Sequence, residues 1–354
     1  MSKIPQPTTT QLDKPEPKFH YWRTLLWSQW CFTPPLPTQS WIGKTVIVTG
    51  ANIGLGKEAA RHFASLGAEK VIIAARNLSA AEKAKKDIEQ SIGCKTSVIE
   101  CWSLDLCSYD SVRQFAERCQ ALERIDCLLE NAGVSKYFFY EVEGATDELQ
   151  ITVNVINTFL LALLLFPKLR ETAERFKTTP HLTVVTSELH HQTIIPERKA
   201  VKEGKHTNLL DALNDKKVAS RGGRYPVSKL MQLLCVRELV ATLKAKGDTS
   251  GVVVNCVNPG FCHSSLTRDF APIAYIGKIL MRARSTEVGS RTLVHAASAG
   301  MESQGEYLSN CQVARVADWV KTEEGREWQG RVWEEVLGRL EGISPGVSGN
   351  IHVS

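Results

Sequence analysis

The chain lacks the marks of several protein classes. Its ten cysteines (31, 94, 101, 107, 119, 127, 235, 256, 262 and 311) include no C-x-x-C pair and no histidine spacing suited to zinc. No metal site is expected. Most of these cysteines sit in apolar runs such as Asp126-Cys127-Leu128-Leu129, which reads as small buried thiols in a reducing, cytoplasmic setting. The basic excess is small, 43 Lys+Arg against 38 Asp+Glu for a net charge of +5, with the signs interleaved. A nucleic-acid partner needs a basic stripe, and none is present. The opening Met-Ser-Lys-Ile-Pro-Gln-Pro lacks an apolar signal core. Phe19 to Phe32 is only about half a membrane span and is interrupted by His20 and Arg23, and Thr158 to Phe166 is shorter still. No transmembrane span is expected.

What remains is a chain of 354 residues, 43% hydrophobic and 23% charged, enough for one large core and too apolar for wholesale disorder. Seven of the 14 prolines (5, 7, 15, 17, 34, 35, 37) and four of the eight tryptophans (22, 27, 30, 41) precede Gly43. Residues 1–43 therefore read as a separate extension, with 1–18 disordered. Phe19 to Trp41 reads either as an aromatic strap on the body or as a membrane-interface segment, with the strap favoured because basic residues are few. Pro34-Pro35-Leu36-Pro37 reads as a stiff spacer.

From Lys44 onward short β-branched runs alternate with amphipathic stretches. Strands are expected at Lys44–Thr49, Val71–Ala75, Thr96–Trp102, Ile125–Leu129, His181–Thr186 and Val252–Val257. Helices are expected at Leu55–Leu66, Ser79–Ile92, Ser108–Leu122, Thr146–Glu174, Pro226–Lys246 and Glu323–Leu340. Six such alternations with near-continuous apolar strands predict an α/β fold: a Rossmann-type doubly wound parallel sheet in a single domain, 44–345, followed by a tail, 346–354. Ligands of such sheets bind beyond the strands' C-terminal ends, so the motifs should follow strands.

They do. Gly50-Ala51-Asn52-Ile53-Gly54-Leu55-Gly56 links the first strand to the first helix. Its glycines allow a tight turn and a close backbone approach to a pyrophosphate. Lys57 follows and reads either as added charge near the phosphates or as a solvated helix-face lysine. After the second strand stands Arg76 rather than the acid that binds an NAD ribose, which predicts NADP(H) as cofactor. Tyr225 and Lys229, at i and i+4, share one helix face. A tyrosine pKa near 10 is too high for proton exchange at neutral pH, and a neighbouring ammonium is expected to lower it. Ser187, at a strand end, can bond a substrate oxygen.

The glycine loop, Asn131-Ala132-Gly133 after the fourth strand, and Tyr225-Pro226-Val227-Ser228-Lys229, taken in this order, resemble the short-chain dehydrogenase/reductase family over 44–345. The resemblance implies a tetrad of Asn154, Ser187, Tyr225 and Lys229, with Tyr225 as acid/base and Asn154 holding a water that links Lys229 to solvent. It also implies cofactor contacts at Gly50, Gly54, Leu55, Gly56, Lys57, Arg76, Asp105 (adenine), Asn131, Gly133, Tyr225, Lys229, Gly260 and Ser264. A homodimer accords with family habit. The long insert before Tyr225, Leu210-Asp211-Ala212-Leu213-Asn214 and Gly305-Glu306-Tyr307-Leu308 are similar to the fungal retinol-dehydrogenase-like branch. That branch implies an apolar carbonyl or alcohol substrate, of the polyketide-like kind found in secondary metabolism. His190 and His191 read as surface loop residues. The stretch from Phe261 through Phe270, Pro272, Ile273, Tyr275, Ile279 and Leu280 to Arg282 and Arg284 reads as a substrate lid or a dimer contact. Two alternatives stand beside the soluble reductase: a membrane-associated retinol or lipid dehydrogenase touching the bilayer through 19–41, and a non-catalytic NADP sensor.

Overall fold

A computed structural model describes residues 15, 18–218, 222–263 and 282–352. Within these, the β-branched runs form the strands β1 (Thr45–Thr49), β2 (Lys70–Ala75), β3 (Ile99–Ser103), β4 (Cys127–Glu130), β5 (His181–Val185) and β6 (Val253–Asn258). Two short strands that alternation did not reveal, β7 (Tyr307–Ser309) and β8 (Gln312–Val313), extend one edge. The order is β3-β2-β1-β4-β5-β6-β7-β8, parallel throughout except for the β7–β8 hairpin. The order reverses at β1, so chain from β1 and β4 meets at a crevice beyond their C-terminal ends.

The helices are α1 (Lys18–Cys31), α2 (Gly54–Ser65), α3 (Leu78–Ile92), α4 (Tyr109–Gln120), α5 (Leu149–Phe176), α6 (Arg198–Lys202), α7 (Leu209–Asn214), α8 (Arg224–Ala245), α9 (Thr286–Ala296) and α10 (Glu323–Ile343). One face of the sheet packs on α2, α3 and α9, through Phe63, Ile88 and Leu293 among others. The other packs on α4, α5, α8 and α10, through Phe115, Phe159, Leu234 and Trp328. This two-sided burial explains why the strands lack polar alternation. Helix α5 is apolar and long enough to cross a membrane, but 89% of its most apolar window is buried inside the protein. It is a core helix.

Three expectations change. The body begins before Lys44: Trp41 is 2% exposed, packs edge-on against Phe63 (4.7 Å between centroids) and donates its backbone N–H to Leu66 O. Residues 346–352 of the expected tail pack on the body: Val347 and Ile351, in a 3-10 turn, are buried in the core, and Arg170 bonds the Asn350 and His352 carbonyls. And α5 is not a uniform helix: Thr152–Ile156 widens to π geometry, with Asn157 N–H reaching Thr152 O.

Helix α1 behaves as the strap. Tyr21, Leu25, Ser28 and Gln29 face the body, while Trp22, Leu26, Trp27 and Trp30 remain exposed. Pro34-Pro35-Leu36-Pro37 runs on without helix or strand, held where Arg291 Nη1 donates to Pro34 O (2.9 Å).

Candidate functional site

The strand ends place the motif residues along one crevice. After β1, Gly50 has φ +65°, a conformation that favours glycine, and a side chain there would meet Ala132 Cα at 2.9 Å. A Cβ on Gly56 would collide with Asn131 Nδ2 and stand 2.8 Å from Gly50 O. Asn131 Nδ2 donates to Thr49 O (2.8 Å), tying the β4 loop to the glycine loop. Gly54, at φ +67°, opens α2. Ile53, the residue before that helix, offers no side-chain cap, whereas α3, α4, α7, α9 and α10 are capped by Asn77, Ser108, Asn208, Ser285 and Thr322. Open backbone N–H groups behind a glycine cradle are what a pyrophosphate requires. The residues therefore fit a dinucleotide.

Beneath the cradle lies Glu130, 1% exposed, its Oε2 accepting from Thr49 Oγ1 (3.2 Å) and its Oε1 without a partner. Thr49 Oγ1 in turn accepts Ala132 N–H (2.9 Å). Burial raises the Glu130 pKa to about 8, so at neutral pH the acid is chiefly uncharged.

At the other end of the crevice, Arg76 is exposed beyond β2 and reaches the Cys107 thiol, which also contacts Asp105. Asp105 Oδ1 accepts Cys107 N–H (2.9 Å) and its backbone N–H is held by Ser111 Oγ, so Arg76 and Asp105 stand together. Lys57 does not join them: its Nζ pairs with Asp87 at 2.8 Å, which makes it a link between α2 and α3 rather than phosphate charge. Leu55 is half-buried and packs against Gly289 of α9. Ser264 and the expected lid residues Phe270, Pro272, Ile273, Tyr275, Ile279 and Leu280 lie outside the described residues.

Over the ends of β4 and β5 the structure brings together all four tetrad candidates. Ser187 and Tyr225 are hydrogen bonded through their hydroxyls. Lys229 Nζ lies 5.5 Å from the centre of the Tyr225 ring, on the same face of α8. Asn154, fully buried in the π segment, locks the chain after Gly133: its Oδ1 accepts Val134 N–H (2.8 Å) and its Nδ2 donates to Val134 O (2.9 Å) and Ser228 Oγ (3.0 Å). A Cβ on Gly133 would sit 3.2 Å from Asn154 Oδ1 and 3.6 Å from Lys229 Nζ.

One expectation changes here, because the site is dry. Burial pushes the Tyr225 phenol above its ordinary value, and the Ser187 hydrogen bond only partly opposes this. The same burial lowers the Lys229 pKa to about 7, so its ammonium is itself disfavoured. The lowering of the tyrosine by its neighbour, read from the i, i+4 spacing, is not the dominant effect in the protein alone. The backbone carbonyl of Asn154 accepts from Gln232 Nε2 at 2.6 Å.

His190 is not a surface residue. It is fully buried, with its ring edge-on to Tyr307 of β7 (4.7 Å between centroids) and 4.0 Å from the His191 ring. Ala317 N–H donates to Nε2, so the proton sits on Nδ1, which donates to Ser187 O at 2.8 Å. A neutral histidine thus anchors the backbone of Ser187. Nothing local in the sequence signalled this, because the partner strand is more than a hundred residues away.

Arg284, expected in the lid, is a buried anchor. Its guanidinium donates to Pro259 O (3.2 Å), Ser28 O (3.0 Å) and Asn310 Oδ1 (2.7 Å). Gln29 Nε2 donates to Phe261 O (3.0 Å) and Tyr21 lies within electrostatic reach of Glu188, so α1 walls the site beside Ser187 and Gly260. Before the start of α8, Gly222 N–H donates to Tyr137 O, and the rings of Tyr137, Phe138 and Tyr140 in that loop are exposed.

Among the described residues no cluster of His, Cys, Asp or Glu could hold a metal ion. All ten cysteines are free thiols. Cys119, Cys127, Cys235, Cys256 and Cys262 are buried as expected, whereas Cys31 is exposed.

Comparison with known proteins agrees with this geometry. The family model described as short chain dehydrogenase matches residues 44–175. The chain is similar to the short chain dehydrogenase/reductase dmxR8 of a Cryptosporiopsis species, 45% identical over 92% of this chain and 99% of that protein. It is also similar to the short-chain dehydrogenase anuD of Penicillium roqueforti, 37% identical over 92% of this chain and 84% of that protein. Among solved structures, a 3-oxoacyl (acyl-carrier-protein) reductase from Agrobacterium tumefaciens with NADP bound shares the fold, with a TM-score of 0.55 at 18% identity over 76% of this chain and 93% of the other. Identity of 45% along nearly the whole chain, on a parallel sheet with the glycine crevice and tetrad in family order, means that the protein belongs to the short-chain dehydrogenase/reductase family and is an oxidoreductase.

Proposed function

We propose that the protein is an NADP(H)-dependent reductase or dehydrogenase that interconverts a ketone or aldehyde and an alcohol on an apolar substrate. The observation that carries this reading is the Ser187–Tyr225 hydroxyl pair, set over Lys229 at the open end of the glycine crevice. Gly50, Gly54, Gly56 and Asn131 would hold the pyrophosphate side of the cofactor, with Arg76 meeting a 2′-phosphate and Asp105 the adenine end. The cofactor's nicotinamide supplies or accepts the hydride.

The chain's own residues do the rest. Ser187 Oγ orients the substrate oxygen by hydrogen bonding, and His190 fixes the Ser187 backbone. Tyr225 Oη gives a proton to the oxygen as the carbonyl becomes an alcohol, and takes it back in the other direction. When protonated, Lys229 places positive charge near the phenol and so favours its ionised form during transfer. Asn154 keeps the Gly133–Val134 turn and Ser228 in register. An apolar substrate is supported by the exposed rings of Tyr137, Phe138 and Tyr140 and by the α1 wall. The similarity to fungal dehydrogenases supports a polyketide-like secondary metabolite. Free thiols throughout support a reducing, cytoplasmic setting, with the exposed α1 tryptophans available for peripheral membrane contact.

The test is Tyr225→Phe. It is expected to abolish NADPH oxidation with a panel of ketones while NADPH still binds, as read by quenching of tryptophan fluorescence. Turnover at the wild-type rate would refute the assignment of Tyr225, whereas NADPH binding by the wild type without turnover of any ketone would favour a nucleotide sensor.

A further inference from the structure

One turn beyond Lys229 on α8 lies Gln232, fully buried, with both ends of its amide used. Its Oε1 accepts from Lys229 Nζ at 2.9 Å and its Nε2 donates to Asn154 O at 2.6 Å. The orientation of the amide is fixed, because an ammonium can only donate and a carbonyl can only accept. The carbonyl it reaches belongs to the π segment of α5, where a second carbonyl, Val153 O, also takes a side-chain donor, Thr158 Oγ1 at 3.0 Å. Lys229 Nζ is held from the other side by Val185 O at 2.8 Å. The ammonium therefore hangs between β5 and one glutamine that is itself keyed into a widened turn of a different helix.

We propose that Gln232 is the positioning residue for the acid–base pair: it aims Lys229 Nζ at Tyr225 and couples that aim to the π turn at Asn154. The inference rests on the Tyr225 reading above. It goes beyond the water link implied by resemblance, because a fixed side-chain amide bridges the two groups.

The surroundings make that amide decisive. The groups facing Lys229 Nζ are Val185 O from β5, the backbone at Gly133 after β4, Asn154 from α5, and Gln232 and the Tyr225 ring from α8. Of these only the Tyr225 phenol titrates, and burial already draws the Lys229 pKa down to about 7. A neutral acceptor lost from a dry site lowers an ammonium's pKa further, and a carboxylate in its place raises it.

Three proteins test this: wild type, Gln232→Leu and Gln232→Glu. The Lys229 titration is read directly in the cofactor-free protein by NMR of 13Cε-labelled lysine, with the resonance identified by its loss in Lys229→Met. Gln232→Leu is expected to shift the titration down and Gln232→Glu to shift it up, each by about one pH unit. With NADPH and 9,10-phenanthrenequinone as the carbonyl probe, kcat of the leucine variant should fall about tenfold at neutral pH with KM little changed. The alkaline fall in kcat should move up in the glutamate variant. Should the leucine variant fail to fold, the near-isosteric glutamate variant decides alone. Coincident titrations and pH profiles across the folded variants would overturn the proposal and leave Gln232 as packing. Activity persisting in Tyr225→Phe would instead refute the parent reading, whatever the NMR shows.

Discussion

Replacing Arg284 by Met keeps most of the stem volume and removes the guanidinium that joins α1 to the body. Arg284 is 6% exposed, and its loss leaves Ser28 O, Pro259 O and Asn310 Oδ1 without their charged donor. Hydrogen bonds from a charged group are worth about 1.5–3 kcal/mol each, but they share one ion whose own burial costs energy, so they do not add. A net loss of about 3 kcal/mol is reasonable. With an unfolding entropy of about 2.1 cal/mol/K per residue, a chain of this length would lose about 4 °C in Tm. The loss should be expressed first at α1. Its remaining fastening is light: Gln29 bonded to Phe261 O, Ser28 Oγ to Asn310 Oδ1, Arg282 over the Trp30 ring, and two apolar side chains buried, Tyr21 and Leu25. Brief chymotrypsin digestion should then cleave near Trp27, Trp30 and Phe32 several-fold faster than in wild type, and turnover should fall because the wall beside Phe261 loosens. Differential scanning fluorimetry, mass spectrometry of the fragments and NADPH oxidation measure the three effects. A Tm within 1 °C of wild type together with unchanged cleavage would refute the anchor.

Further outcomes follow from the same geometry. Glu130 holds its proton to about pH 8 in the folded chain but only to the ordinary carboxylate value when unfolded, so the native state binds more protons between these values and stability falls as pH rises through that window. Glu130→Gln should therefore match wild type near pH 5 and melt several degrees higher near pH 8; parallel melting curves at the two pH values would contradict this. Arg76→Asp should move cofactor preference from NADPH towards NADH by at least tenfold in kcat/KM, and an unmoved ratio would remove the basis for NADP. Gly56→Val should abolish NADPH binding in a fluorescence titration while the fold persists by circular dichroism, because the added atoms meet Asn131 and Gly50. Deleting residues 1–32 should leave a folded body, whereas deleting 1–42 removes Trp41 from its place on Phe63 and should cost about 3–5 kcal/mol, read by denaturant unfolding.

The parallel sheet, the six long strands with their helices, the glycine crevice and the four tetrad positions were legible in the sequence. Each depends on local pattern: β-branched runs, 3.6-residue periodicity, glycines after a strand, and an i, i+4 pair on one helix. Short elements escaped. β7 and β8 have five residues between them and carry no periodicity. The π turn of α5 was hidden because Thr152–Ile156, Thr-Val-Asn-Val-Ile, lies inside a long apolar stretch and nothing local marks the one turn that is widened.

Chemistry set by distant chain could not be read in advance. Lys57 took Asp87 as a partner 30 positions on, and Arg284 reached back to Ser28 across more than 250 residues. His190 became a buried neutral anchor only because β7 brought Tyr307 alongside. The protonation balance of Tyr225 and Lys229 reversed the local expectation for a related reason: spacing shows that two groups are near, but only packing shows how much water they lose. The sequence alone determined which residues could do the chemistry and on which strand ends they stand, since short-range sterics and hydrophobic period act within a few residues. The tertiary structure decided which partners those residues keep, how dry they are, and that an aromatic N-terminal helix forms part of their wall. Those depend on atoms brought together from opposite ends of the chain.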